Sequence, residues 1–329
     1  MDNTPTSPQL KPLTLADMLD KTFVLFKKRW KPLVILSLIM SVPAALLGFL
    51  ISAVTGDVAP ATSTSPTGFF DQASNGAAVA GGLVNFIVSV FLLVVFYPLI
   101  EGAFTRVIAA EFLGRPNIDA KLSLKQMLTV WPSLIGARVL ALLAVAIAGI
   151  PVIIGVVVVA ASAVSGNAAL VLVGVLLAIA FALPIFAMYL LTILALPLVA
   201  IEEVNPWVAI KRSFALIKKR FWVYLGTVVL IGIVATILQM LLMLIPVILS
   251  AITFNIVVLS AFFQGIGVVL GALVVEPVIA IVLALIYFDA RIRFEGLDLQ
   301  LAGNEISSST ETRGEVDQSR DAGNSDPQF

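Results

Sequence analysis

Four stretches of this chain carry no charged residue, and their lengths limit what it can fold into. Lys31 to Asp57 brackets 25 uncharged residues, Asp71 to Glu101 brackets 29, Arg138 to Glu202 brackets 63, and Arg220 to Glu276 brackets 55. A helix crosses a hydrocarbon core of about 30 Å with about 20 apolar residues. The first two stretches therefore hold one span each. The third breaks at Ser165-Gly166-Asn167 and reads as a hairpin. The fourth runs on past Glu276 to Phe288, has a weaker break near Thr253–Asn255, and reads as a second hairpin. Six spans are expected, near 33–54, 77–100, 134–163, 168–201, 223–250 and 256–288. Composition agrees: 12 % of residues are charged, against about 25 % in a soluble domain. The expected fold class is an all-α polytopic membrane protein.

The distribution of charge orients the spans. Basic residues near span ends stay on the cytoplasmic side. With the N-terminus inside, the cytoplasmic segments 1–32, 101–138, 202–222 and 289–329 contain six, five, five and four Lys/Arg, which is all 20. The outer loops contain none, only Asp57 and Asp71. Three spans in the 63-residue stretch would place Lys211, Arg212, Lys218, Lys219 and Arg220 outside. Both termini are therefore expected to be cytoplasmic. No cleaved signal peptide is expected, because the first apolar run is a full-length span with no clear cleavage site. Segments 1–13 and 300–329 read as disordered termini around a membrane domain over 14–299. The outer loop 55–76, with Phe69-Phe70, reads as a polar connector.

An internal repeat organises the membrane domain. Thr22-Phe23-Val24-Leu25-Phe26-Lys27-Lys28-Arg29-Trp30 resembles Ser213-Phe214-Ala215-Leu216-Ile217-Lys218-Lys219-Arg220-Phe221. A weaker copy runs from Ser123 to Pro132. Each copy is amphipathic, with stripes Leu15/Met18/Leu19/Thr22/Phe23/Phe26, Leu124/Met127/Leu128/Trp131 and Trp207/Ile210/Phe214/Ile217/Phe221 at helical spacing. Helix starts are predicted at Thr14 with Asp17 three residues on, at Ser123, and at Asn205 before Pro206. Such helices are expected in the headgroup region with the apolar face down. The repeating unit is then an interfacial helix followed by a hairpin of two spans, used three times.

Glu276 is the one acid well inside an expected span. An ionisable group at that depth costs about 2.5–3.5 kcal/mol on insertion scales and is by default a functional candidate. Burial disfavours the charged form of a carboxyl, so Glu276 is a candidate proton or cation site; the alternative is a capped structural acid. Arg138, one turn into the third expected span, is the one basic residue inside a span that could pair with it. Gly267 and Gly271 form a small-xxx-small pair suited to close helix packing. At the end of the last helix, Asp289/Arg293 and Arg291/Glu295 are i, i+4 pairs. Asp289, Arg291 and Arg293, with Lys27, Lys28, Arg29, Trp30, Lys218, Lys219 and Arg220, are candidate interfacial anchors or lipid contacts. Glu202-Glu203 reads as a solvated helix end. The chain contains no His and no Cys. That removes imidazole bases, thiol nucleophiles and the commonest metal ligands. Phosphate-binding glycine loops and nucleic-acid signatures are also absent, and no cofactor is expected.

The segments LTLADMLDKTFVLFKKRWKPL, LPLVAIEEVNPWVAIKRSFALIKKRFW and LIYFDARIRFEGLDL resemble the bacterial glycerophosphoryl diester phosphodiesterase membrane-domain family, over about 14–299. The most specific part is Tyr287, Asp289, Arg291, Arg293, Glu295, Gly296 and Asp298. The resemblance implies a multi-pass protein of the bacterial inner membrane. The catalytic barrel from which that family is named uses His and acidic metal ligands, so its activity does not transfer to a chain without His. The expected function is a non-enzymatic module that interacts with membrane lipids or a membrane-protein partner. The runner-up is a transporter or channel subunit that uses Glu276.

Overall fold

The structure, a computed structural model, describes residues 13–55, 76–114, 118–165 and 168–296. The expected outer loop with Asp57, Phe69, Phe70 and Asp71, Gly166 and Asn167 of the expected break, Asp298, and the segments 1–12 and 297–329 lie outside the described residues. The described residues form helices and short turns, with no strand. The helices are α1 Leu15–Thr55, α2 Gly76–Phe91, α3 Tyr97–Phe112, α4 Ala120–Met127, α5 Trp131–Ser165, α6 Ala168–Thr192, α7 Ala195–Glu202, α8 Pro206–Lys219, α9 Phe221–Ile252 and α10 Val257–Glu295. A π-helical turn, Leu92–Phe96, joins α2 to α3. Six segments are long and apolar enough to cross a membrane: Leu15–Ala53, Phe86–Phe112, Trp131–Ala160, Val171–Glu202, Phe221–Ile252 and Val257–Glu295. The chain is a multi-pass, all-α membrane protein.

The helices depart from the expected spans in three places, each with a local cause. The first pre-span helix and the first span are joined as α1, which leaves helical geometry only at Arg29 (φ −119°, ψ 25°). The corresponding residue of the second basic triplet, Arg220 (φ −135°, ψ 39°), separates α8 from α9 completely. The second span runs on to Phe112, beyond its expected end, because Ala103, Phe104, Val107 and Ile108 are buried in the protein core. It widens to a π turn, with Tyr97 N–H bonded to the Leu92 carbonyl, just before Pro98, which has no N–H to offer the ladder. The fourth span breaks at Ile193-Leu194, between α6 and α7. Pro197 in the first turn of α7 cannot donate back to Ile193.

The predicted start at Thr14 forms as a reciprocal cap: the Asp17 N–H bonds Thr14 Oγ1 (3.2 Å) and the Thr14 N–H bonds Asp17 Oδ2 (2.9 Å). Asn205 precedes Pro206 as expected, although its side chain makes no capping bond. Helix α4 begins at Ala120, not at Ser123. Ser123 is buried and donates its hydroxyl to the Ala103 carbonyl (2.7 Å). Ser213 likewise donates to the Leu191 carbonyl (2.6 Å) and accepts from the Leu194 N–H (3.2 Å). These two serines tie α4 to α3 and α8 to the broken fourth span.

Helix α10 is the central element. Helices α1 and α9 pack along it, and α5 packs along α6. The α5–α6 hairpin has no comparable packing against α10 and meets the rest of the protein mainly through α7, α8 and α3. Burial follows this division. Of the most apolar 18-residue window in each span, 44 % is buried in α10, against 6 % in the third and fourth spans. The hairpin thus leaves far more apolar surface uncovered by the rest of the protein. Close approach within each group rests on glycine. A Cβ on Gly174 would meet the Val159 backbone at 3.1 Å, and one on Gly267 would meet Pro246 at 3.0 Å. Gly271 faces the Gln239 amide on α9. The Gly267/Gly271 pair therefore faces α9.

Candidate functional site

The separation of the α5–α6 hairpin from α10 leaves a cavity of about 290 Å³. Four parts of the chain build its wall. Helix α3 contributes Glu101, Phe104 and Thr105, and α5 contributes Arg138, Leu142 and Val145. The broken fourth span contributes Tyr189 and the stretch from Thr192 to Pro197, apart from Leu194. Helix α10 contributes Glu276, Ile279, Ala280 and Leu283. Most of the surface is apolar, with a small group of convergent polar atoms, the usual make-up of a ligand pocket. Two helix irregularities border it. The π turn lies one helical turn before Glu101, and the Ile193-Leu194 break is part of the wall.

The ionic residues are unevenly matched. Arg138 Nη2 contacts both carboxylate oxygens of Glu101 at 2.5 Å. Arg138 thus pairs with Glu101 and not with Glu276. Its Nε is enclosed and lacks a hydrogen-bond partner. Glu276 is half-buried at the middle of α10, and among the described residues it has no hydrogen-bond or ion-pair partner. The wall therefore holds two carboxylates and one guanidinium. The hydroxyl hydrogens of Thr105 and Thr192 are engaged by backbone carbonyls of their own helices, at Glu101 and at Met188 and Tyr189. Both threonine oxygens remain able to accept. Glu276 lies 13 residues before Asp289, about 20 Å along the helix at 1.5 Å per residue.

The closing motif serves a different purpose. Asp289 is fully buried. It accepts hydrogen bonds from the Leu13 N–H (2.8 Å), Arg293 Nε (2.8 Å) and the Tyr224 hydroxyl (3.0 Å), with Arg220 at 3.6 Å. Arg293 also donates to the Leu13 carbonyl (2.9 Å). A second network links Arg212 to Glu202 and Glu295, and Arg291 to Glu202 (3.2 Å) and Glu295 (2.8 Å). The Tyr287 hydroxyl donates to Glu202 (2.7 Å). The carboxylates of Glu202 and Glu295 hold the Arg212 guanidinium above its ordinary pKa, against the opposing effect of burial. Both expected i, i+4 pairs form, but each is embedded in contacts from distant elements. Glu202 is bound on three sides and is not a solvated helix end; Glu203 pairs with Arg106. Gly296 closes α10 in the left-handed region (φ 63°), where glycine carries no Cβ penalty.

The structure divides the candidate lipid contacts. Asp289, Arg291, Arg293 and Arg220 belong to these internal networks. Arg29 pairs with Glu111 at 2.5 Å, and Lys28 pairs with the same carboxylate while remaining 67 % exposed. Lys219 lies 4.7 Å from the centre of the Phe294 ring. Lys27, Lys218 and Trp30 are exposed. The pre-span stripes are divided too: Met18, Met127, Ile210 and Ile217 are buried in protein, while Phe23, Leu128 and Trp207 are exposed. Among the described residues, no group of three or more His, Cys, Asp or Glu is placed to hold a metal ion. No family model, curated protein or solved structure matches this chain.

Proposed function

We propose that this protein is a lipid-interacting membrane module in which the cavity between the α5–α6 hairpin and α10 takes up a lipid from the surrounding bilayer. The cavity itself carries the reading: it is apolar along Leu142, Val145, Ile279 and Leu283, and polar at Glu101, Arg138 and Glu276. An amphiphile fits such a wall. The hairpin packs so little against α10 that entry from the side requires few contacts to be broken. The module acts without enzymatic activity of its own, a reading supported by the absence of His and Cys. The bacterial inner membrane is the proposed location, in keeping with the resemblance of the opening, central and closing segments. Both termini are proposed to be cytoplasmic, supported by the gathering of the basic residues of α1, α3, α8 and α10 at one end of the bundle.

The test is lipid retention. The full chain is extracted in mild detergent and its bound lipid identified by mass spectrometry. Ala280→Leu, which adds bulk to the cavity wall, should lower the amount retained. Equal retention by the two proteins would remove the cavity from consideration. A second reading, a transporter or channel subunit, is favoured by one observation: Glu276 is unpartnered beside a broken helix, the arrangement found around sites in many transporters. Proton or cation flux into liposomes that disappears in Glu276→Gln would support it, and absence of flux in the parent protein would exclude it.

A further inference from the structure

We infer that the cavity selects a lipid whose head group carries a primary ammonium, with the Glu276 carboxylate as its partner. The inference rests on the lipid-binding reading above and adds the chemistry of the head group. Charge is the first argument. Glu101 and Arg138 neutralise one another through two 2.5 Å contacts, which leaves the Glu276 carboxylate as the unbalanced ionic group of the wall. An uncompensated charge in a low-dielectric environment is costly, and a single opposite charge on a ligand removes that cost. A head group with a phosphate and no ammonium brings no cation to Glu276 and leaves that acid uncompensated.

Hydrogen bonding is the second and independent argument. Thr105 and Thr192 direct their hydrogens to backbone carbonyls and keep only acceptor capacity for the cavity. Arg138 Nε is enclosed, and Glu101 engages Nη2, so Nη1 is the nitrogen of this lining residue left for a ligand. The polar wall therefore offers acceptors at Glu276, Thr105 and Thr192 for an ammonium, beside donors at the Tyr189 hydroxyl and Arg138 Nη1 for the phosphate that the same head group carries. A primary ammonium supplies three N–H donors, whereas a quaternary ammonium supplies charge and no donor. The site should thus distinguish ethanolamine from choline head groups as well as from anionic ones.

The experiment uses the full chain in nanodiscs containing equal parts of phosphatidylethanolamine, phosphatidylglycerol and phosphatidylcholine with identical acyl chains. The protein is then extracted and its retained lipid counted by native mass spectrometry. Phosphatidylethanolamine should be enriched about tenfold over each of the others, the ratio that about 1.4 kcal/mol supplies. Glu276→Gln should bring the ratio close to one. Equal retention of the three lipids by the parent protein overturns the head-group inference and leaves the lipid-binding reading standing; this comparison needs no variant to fold. A preference that survives in Glu276→Gln also overturns it, because selection then lies elsewhere. Retention of no lipid overturns both readings.

Discussion

Replacing Asp289 by Ala should weaken the protein by about 3 kcal/mol, taking about 1–3 kcal/mol for each buried donor left without a partner. Two such donors are fully committed to it: the Leu13 N–H and the Tyr224 hydroxyl, on residues 5 % and 0 % exposed. The two arginines add less. The side chains of Arg293 and Arg220 are 25 % and 30 % exposed and can turn towards water, so the about 3–5 kcal/mol typical of breaking a fully buried pair does not apply in full. Asp289→Asn keeps a carbonyl oxygen for Leu13 or Arg293 and should cost less. Tyr224→Phe alone should cost about 1 kcal/mol, the net value of one hydrogen bond. In an Asp289→Ala background the same change should cost nothing, because it removes a stranded hydroxyl. Unfolding in mixed micelles with a rising fraction of dodecyl sulfate measures all four proteins. The reasoning fails if Asp289→Ala unfolds with the parent, or if Tyr224→Phe costs the same in both backgrounds.

Other regions make separate predictions. Glu111→Gln, which removes the carboxylate paired with Arg29 and Lys28, should destabilise by about 1–2 kcal/mol in the same assay, whereas exposed Lys27→Ala should stay within about 0.5 kcal/mol of the parent. Gly136→Ala should cost about 1–3 kcal/mol, because the new methyl would lie 2.7 Å from the Pro206 ring and α5 would have to shift from α8. Gly232→Ala, which faces open space, should leave stability unchanged. Because the chain has no native Cys, single cysteines report topology directly. In intact cells an impermeant maleimide should label Phe254→Cys at once and Lys218→Cys only after permeabilisation. The reverse pattern would invert the proposed orientation.

Some of the site was legible in the residues. Glu276 stood out as an acid in an apolar run, and Arg138 as the nearest base. The partner of Arg138 was not legible: Glu101 lay at the expected end of a different span, and only the continuation of α3 to Phe112 draws it into the bundle. The closing motif shows the same limit. Its two i, i+4 pairs are local and follow from spacing, but Leu13, Tyr224, Arg212 and Glu202 reach it from far along the chain. That is why charges expected to meet lipid headgroups are turned inwards. Lys27, Lys218 and Trp30, for which no distant partner stands among the described residues, are exposed.

The number of membrane-crossing helices and the all-α class came from the sequence by itself, because a bilayer leaves no freedom: an uncharged run of sufficient length must satisfy its backbone internally and cross as a helix. Helix-to-helix arrangement is not constrained in that way. Lipid tails are as apolar as leucine, so the apolar pattern does not tell one neighbour from another, and small residues and polar contacts decide. Only the tertiary structure placed α10 at the centre, held the α5–α6 hairpin apart from it, and left Glu276 in the space between.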